Sequence, residues 1–211
     1  MEAIKEYFFI FQSGGPIMYL ILLCSIIVIA IAIERILYYR SVNLNNKVFI
    51  SEIKELLETN KLDLAEELCS KNRNIIGDVV YNTLPSFKNN SVMFKEVFES
   101  QSAASIAKLR ENLTHLETIV TVAPLLGLLG TIIGMIQAFS IMNFKHGEPL
   151  KITGGVAEAL IVTAFGLCIA IIAMFFYSYF NHRIDKTISS LEEIGIIFMN
   201  KLVKEDRYET K

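Results

Sequence analysis

The chain has 211 residues, of which 53% are hydrophobic, and a formal net charge of −2. This composition is too apolar for an ordinary soluble domain of this length and favours a membrane protein. The small net charge gives no electrostatic basis for nucleic-acid binding. Three widely separated cysteines and three histidines without partner spacing predict neither a disulfide framework nor a metal or cofactor site.

The first apolar run covers residues 17–33, after an N-terminal segment of residues 1–16. Its 17 residues lie at the short end of the range for a membrane span. A cleaved signal peptide is the alternative, but the leader is not basic and Glu34-Arg35 stands where small residues would mark a cleavage site. We therefore interpret residues 17–33 as the first transmembrane helix.

The pattern of residues 34–117 predicts a helical domain without catalytic or ligand-binding residues. The predicted helices are 48–58, 62–70, 75–84 (ended by Pro85) and 92–116. Their inward residues are predicted to be Phe49, Ile53, Leu56 and Leu57 in the first helix and Leu64, Ala65 and Leu68 in the second. Because 92–116 contains neither Gly nor Pro, we expect one helix that runs unbroken into the second span.

The second span is predicted at residues 118–144, which carry no charge. Small residues and one hydroxyl recur along one helical face: Pro124, Gly127, Thr131, Gly134 and Ala138. Such a face lets helix backbones approach closely in a membrane. Two interpretations of Thr131 stay open: a functional hydroxyl, or one bonded to the carbonyl of its own preceding turn.

The third span is predicted at residues 152–181, after a short loop of residues 145–151. It repeats the small-residue face with Gly155, Ala159, Gly166, Ala170 and Ala173, and Thr163 falls beside it. Residues 182–211 form the C-terminal segment, in which 183–204 should continue the same helix.

Glu158 is the only charged residue between Lys151 and His182. A carboxylate in the hydrocarbon region is costly and normally faces a bundle interior or a water path, where it marks an ion or proton route. The alternative is a carboxylate close enough to a helix end to reach headgroups or water. A single three-span chain cannot enclose a pore, so the two small-residue faces and the lone acid suggest that several copies assemble.

The basic residues near the spans predict the orientation. One side carries Arg35, Arg40, Lys47, Lys108, Arg110, Arg183 and Lys186, and the other carries Lys5, Lys145 and Lys151. By the positive-inside rule, residues 1–16 and 145–151 then lie outside, and residues 34–117 and 182–211 lie in the cytoplasm.

Two segments carry a family resemblance. Residues 123–139 (APLLGLLGTIIGMIQAF) resemble the second-span signature of the ExbB/TolQ/MotA proton-channel family, and 155–167 (GVAEALIVTAFGL) resemble its third-span signature. The order of the motifs, the short loop between them and the predicted topology also match, and three spans favour ExbB or TolQ over MotA. One departure is Gly154-Gly155, where the family motif usually has Pro-Gly.

The resemblance implies an all-α homopentamer in the bacterial inner membrane, with the second and third spans around a central pore. It implies a single-span partner dimer like ExbD or TolR in that pore, protons as the coupling ion, and work passed to a TonB- or TolA-like protein. By motif position, Glu158, Thr131 and Thr163 take the places of the family's pore residues.

The function expected is therefore an ExbB-like proton-channel subunit that couples the proton motive force to TonB-dependent outer-membrane transport. A TolQ-like subunit of an envelope-integrity system and a non-conducting membrane scaffold are the alternatives; a scaffold has no need of a buried acid. An enzyme is disfavoured, because the spans contain no Ser/His pair, HExxH motif or paired aspartates.

Overall fold

A computed structural model of the chain describes residues 15–42, 47–59, 61–71, 74–87, 91–144 and 149–209. Within these ranges it contains seven α-helices and no β-strand. The helices are α1 (Gly15–Ser41), α2 (Lys47–Glu58), α3 (Leu62–Lys71), α4 (Ile75–Phe87), α5 (Ser91–Arg110), α6 (Leu113–Phe144) and α7 (Pro149–Glu209). By length and composition, α1, α6 and α7 each contain a stretch able to cross a membrane. The all-helical class with three candidate spans is confirmed.

The chain divides into two compact units. The described parts of residues 1–33 and 112–178 form what we call the apolar unit, and those of residues 34–111 and 179–211 form the amphipathic unit. Helices α1 and α7 each contribute one part to each unit. The predicted spans at 17–33, 118–144 and 152–181 lie within α1, α6 and α7.

The amphipathic unit is built around a cluster of phenylalanines. The ring centroids of Phe94 and Phe198 lie 5.2 Å apart in a stacked arrangement. Phe87 meets Phe198 edge-on at 5.2 Å and Phe94 edge-on at 5.4 Å. Aromatic pairs in these geometries stabilise a core beyond the area that they bury. The C-terminal part of α7 thus belongs to the core of this unit.

The inward faces of α2 and α7 largely follow their sequence patterns. Phe49, Ile53 and Leu57 are buried in α2, and Leu56 is half-buried. In α7, the predicted continuation beyond residue 183 is confirmed, since the helix runs without a break to Glu209. Its buried residues in this part include Ile184, Leu191, Ile194 and Phe198.

Two local predictions for this unit are wrong. Leu64 in α3 is exposed, and the buried positions of that helix are Ala65 and Cys69. The helix α4 does not end at Pro85 but continues to Phe87. Pro85 is exposed, and Phe87 packs against the aromatic cluster. The packing of Phe87 therefore outweighs the loss of one backbone hydrogen bond at the last turn.

The buried cysteine of this unit is a core side chain. Desolvation, with smaller contributions from the charges of Asp78 and Glu66, raises the pKa of the Cys69 thiol to about 12. A thiol with so high a pKa is almost fully protonated at neutral pH and is a poor nucleophile and metal ligand. Cys24, Cys69 and Cys168 are all free cysteines.

The helix expected over residues 92–116 is interrupted, which corrects that prediction. The helix α5 ends at Arg110, and Asn112 has a φ of 63° before α6 begins. The last carbonyls of α5 are bonded from α1: Arg35 Nη1 donates to the Lys108 carbonyl at 3.1 Å, and the Tyr39 hydroxyl donates to the Leu109 carbonyl at 2.8 Å. These donors satisfy carbonyl groups that lack partners at a helix end.

We expect substitution of Asn112 to measure the free-energy cost of its left-handed backbone conformation. Asn112→Ala should destabilise the protein by about 1 kcal/mol relative to Asn112→Gly, because a Cβ is strained at positive φ and glycine is not. Both variants lose the side-chain amide, so the difference between their free energies of unfolding reports the backbone strain. Thermal melting of the purified protein in detergent measures it, and equal melting temperatures would contradict this account of the break.

Candidate functional site: a carboxylate beside packed glycine helices

Within the apolar unit, α6 and α7 run antiparallel with their small residues in contact. A methyl group added at Gly155 would lie 2.9 Å from the Ala138 Cβ, and one at Gly134 would lie 2.7 Å from the Ala159 Cβ. Further along, a methyl group at Gly127 would lie 3.0 Å from the Thr163 Cα. The small residues of the two helices therefore pack against each other inside one chain.

The closest approach of a glycine to the backbone of the neighbouring helix lies at Gly166. A methyl group there would lie 2.6 Å from the Ala123 carbonyl oxygen and 3.2 Å from the Gly127 Cα. Both of these neighbours are backbone atoms, which cannot rotate out of the way as a side chain can. The α6–α7 contact at this level therefore requires glycine.

The packed face of α6 differs from the predicted one. Ala123 and Gly130 belong to it, whereas Pro124 is only half-buried. A methyl group at Gly130 would lie 2.5 Å from the Val162 Cγ1. On an ideal helix the observed face is rotated by about 40° from the predicted stripe. On α7, the predicted residues Ala159, Ala170 and Ala173 are all buried.

Both candidate hydroxyls donate to backbone carbonyls. The Thr163 hydroxyl donates to the Gly127 carbonyl at 2.8 Å and so links α7 to α6. The Thr131 hydroxyl donates to the carbonyl of Leu128, three residues earlier on its own helix, at 2.7 Å. A hydroxyl has one proton and two lone pairs. Each oxygen therefore remains able to accept a hydrogen bond while its proton is engaged.

Glu158 has an exposed side chain and lines a cavity of about 330 Å³ in the apolar unit. The cavity is bounded by the start of α1 (Gly15, Pro16 and Ile17) and by segments of α6 and α7 that include Gly134 and Gly155. The neighbouring residue Ala159 is buried against α6. The carboxylate thus lies next to the packed helix pair and opens into space beside it.

Gln137 also lines this cavity, and the sequence analysis did not select it. It lies within the motif of residues 123–139 but outside the small-residue stripe. In the sequence, its polarity is the one feature that distinguishes it, since it is the only amide side chain between residues 118 and 142.

Three long apolar helices with a carboxylate beside a tight antiparallel pair define a polytopic membrane protein with a candidate ion site. The profile of the MotA/TolQ/ExbB proton channel family matches residues 71–193, which is more than half of the chain. The chain belongs to this family, whose members are channel and transport proteins and not enzymes.

Two of the relatives described here match most of the chain, and a third matches a shorter part of it. The putative biopolymer transport protein ExbB homolog of Methanothermobacter thermautotrophicus is 31% identical over 87% of this chain and 66% of its own length. The ExbB-like protein 3 of Synechocystis is 27% identical over 86% of this chain and 88% of its own length. The TolQ protein of Haemophilus influenzae is 36% identical over 38% of this chain and 36% of its own length. The chain therefore spans slightly less than two thirds of the first of these relatives.

Proposed function

We propose that the chain is the channel subunit of an energy-transducing motor in the bacterial inner membrane. Five copies surround a pore that holds an ExbD- or TolR-like single-span dimer, and protons are the coupling ion. The observation that carries this proposal is Glu158, a carboxylate in an otherwise uncharged stretch of α7 that lines a cavity beside the α6–α7 pair. A carboxylate so placed is expected on an ion path.

The hydrogen bonds of the two threonine hydroxyls support a role for their oxygens as hydrogen-bond acceptors on the proposed proton path. Because the protons of Thr131 and Thr163 are engaged by carbonyls, their oxygens are suited to accept a hydrogen bond from water or from a protonated carboxyl. We assign these two residues to hydrogen bonding of a partner carboxyl, or of the water that reaches it. Glu158 is assigned to charge balance and proton access.

The exposed apolar side chains support assembly into an oligomer in a membrane. Since the small residues of α6 and α7 are used inside the chain, the faces left for lipid and for other subunits carry large side chains. Those on α6 include Leu125, Leu129, Ile132 and Ile136, and those on α7 include Ile171, Met174 and Phe175. We propose that neighbouring subunits and lipid cover these faces, with the N-terminus periplasmic and the C-terminus cytoplasmic.

An ExbB-like role is proposed ahead of a TolQ-like one because two relatives named as ExbB-like align over 86–87% of this chain. The TolQ protein aligns over 38%, and the ExbB protein of Xanthomonas campestris aligns over 35%. We therefore propose that the motor passes its work to a TonB-like protein. Binding of purified complex to TonB-like and TolA-like periplasmic proteins would separate the two roles.

Proton flux into lipid vesicles tests the proposed function. The chain is reconstituted alone and with its single-span partner, and the assembly is verified by native mass spectrometry. We expect flux that requires the partner and stops when the imposed proton gradient is collapsed. An intact complex that stays closed to protons, even with its periplasmic target added, would instead identify a non-conducting scaffold.

A further inference from the structure

The cavity beside Glu158 is lined mostly by residues that offer no side-chain hydrogen bond. Its walls include Gly130, Gly134 and Gly155 and the apolar side chains of Ile17 and Ile133. Among the described residues that line it, Glu158 is the one titratable group and Gln137 is the one other residue with a polar side chain. A volume of about 330 Å³ holds several waters, since a water molecule occupies about 30 Å³ in the liquid.

An amide suits the two protonation states of a carboxyl group. An ionised carboxylate only accepts hydrogen bonds, and a protonated carboxyl also donates one. The side chain of Gln137 offers two N–H donors and one carbonyl acceptor, so a rotation of the amide satisfies either state. The hydroxyls of Thr131 and Thr163 do not offer this choice, because their protons are engaged by backbone carbonyls.

On the basis of the proposed function, we propose that Gln137 is a positioning residue for Glu158. It hydrogen-bonds the carboxyl group across the cavity, directly or through one water, in both protonation states. The pair thereby forms the polar part of a water-filled vestibule inside each subunit, bounded by α1, α6 and α7. The proton that Glu158 exchanges then reaches it through this cavity.

The test compares Gln137→Met with Ile133→Met, which places the same side chain in the same cavity without removing an amide. The assembled complex is treated with a hydrophobic carbodiimide, which reacts with protonated carboxyl groups. Labelling at Glu158 is then followed against pH by peptide mass spectrometry. We expect the pH of half-maximal labelling to rise by about one unit in Gln137→Met, because the hydrogen bond lost by the ionised carboxylate is stronger than the one lost by the protonated carboxyl. Proton flux at neutral pH should fall about tenfold.

The control Ile133→Met should leave both the labelling profile and the flux unchanged. An unchanged profile in Gln137→Met, or an equal shift in both variants, would overturn the proposal. Labelling does not require conduction, so a shift specific to Gln137→Met in a complex without flux would support the Gln137–Glu158 pair and reject the proton-channel function. If flux depends on the partner but Gln137→Met shows no labelling shift, the Gln137–Glu158 pair is rejected and the proton-channel function stands.

Discussion

Replacing Glu158 by glutamine is expected to reduce partner-dependent proton flux by about 100-fold or more, the scale on which a positioned proton-exchanging group acts. Glutamine has nearly the same shape as glutamate but cannot release or take up a proton near neutral pH. The side chain is exposed in the cavity, so the substitution creates no packing defect in the chain. Native mass spectrometry should therefore show an unchanged complex.

The matched control for this variant is Glu117→Gln. Glu117 is an exposed carboxylate in the first turns of α6, and its loss changes the net charge by the same amount. We expect this variant to conduct like the wild type. Wild-type flux in Glu158→Gln would remove Glu158 from the path and leave the proposed mechanism without its ionisable group.

Replacing Gly166 by leucine should prevent α6 and α7 from packing. Its Cβ alone would lie 2.6 Å from a backbone carbonyl oxygen and 3.2 Å from the Gly127 Cα. Overpacking costs about 1–3 kcal/mol where side chains can yield, and we expect about 3 kcal/mol or more here because the neighbours are backbone. The higher helix propensity of leucine returns only about 1 kcal/mol. The net effect is a destabilisation of about 2 kcal/mol or more, which should lower the melting temperature and weaken assembly.

Gly154→Leu is the control for stability, because no atom outside the local helix lies within 4 Å of a Cβ at that position. It carries the same propensity gain without the clash and should melt at or slightly above the wild-type temperature. Melting in detergent and native mass spectrometry are the two measurements. If Gly166→Leu assembles and melts like Gly154→Leu, the close α6–α7 approach is not a feature of the working protein.

Much of the helical architecture can be predicted from the sequence, because apolar runs and 3.6-residue periodicity are local signals. The long α7 follows from an apolar stretch, whose one charge is Glu158, that passes into an amphipathic one with neither Gly nor Pro between residues 167 and 194. The break at Asn112 cannot be predicted in this way. Asparagine only permits a left-handed residue, and the donors that complete the end of α5 come from Arg35 and Tyr39, 73 and 70 residues from their acceptors.

The candidate site can likewise be predicted only in part from the sequence. The small residues that make close packing possible are visible in the sequence, and so is the isolated charge of Glu158. The contacts inside the chain involve Ala123 and Gly130 besides Gly127 and Gly134, whereas Pro124 is half-buried, and the sequence pattern alone does not distinguish these neighbouring faces. Gln137 was missed because its significance depends on a cavity that three helices form together.

The donors that complete the end of α5 are synthesised well before their acceptors. Arg35 leaves the ribosome 73 residues ahead of Lys108, which at about 5–20 residues per second is a delay of about 4–15 s. Glu34, the ion-pair partner of Arg35 in the folded chain, is the preceding residue and is synthesised together with it. The junction with α5 closes only after about half of the protein has been translated, which fixes an order of assembly in the making of each subunit.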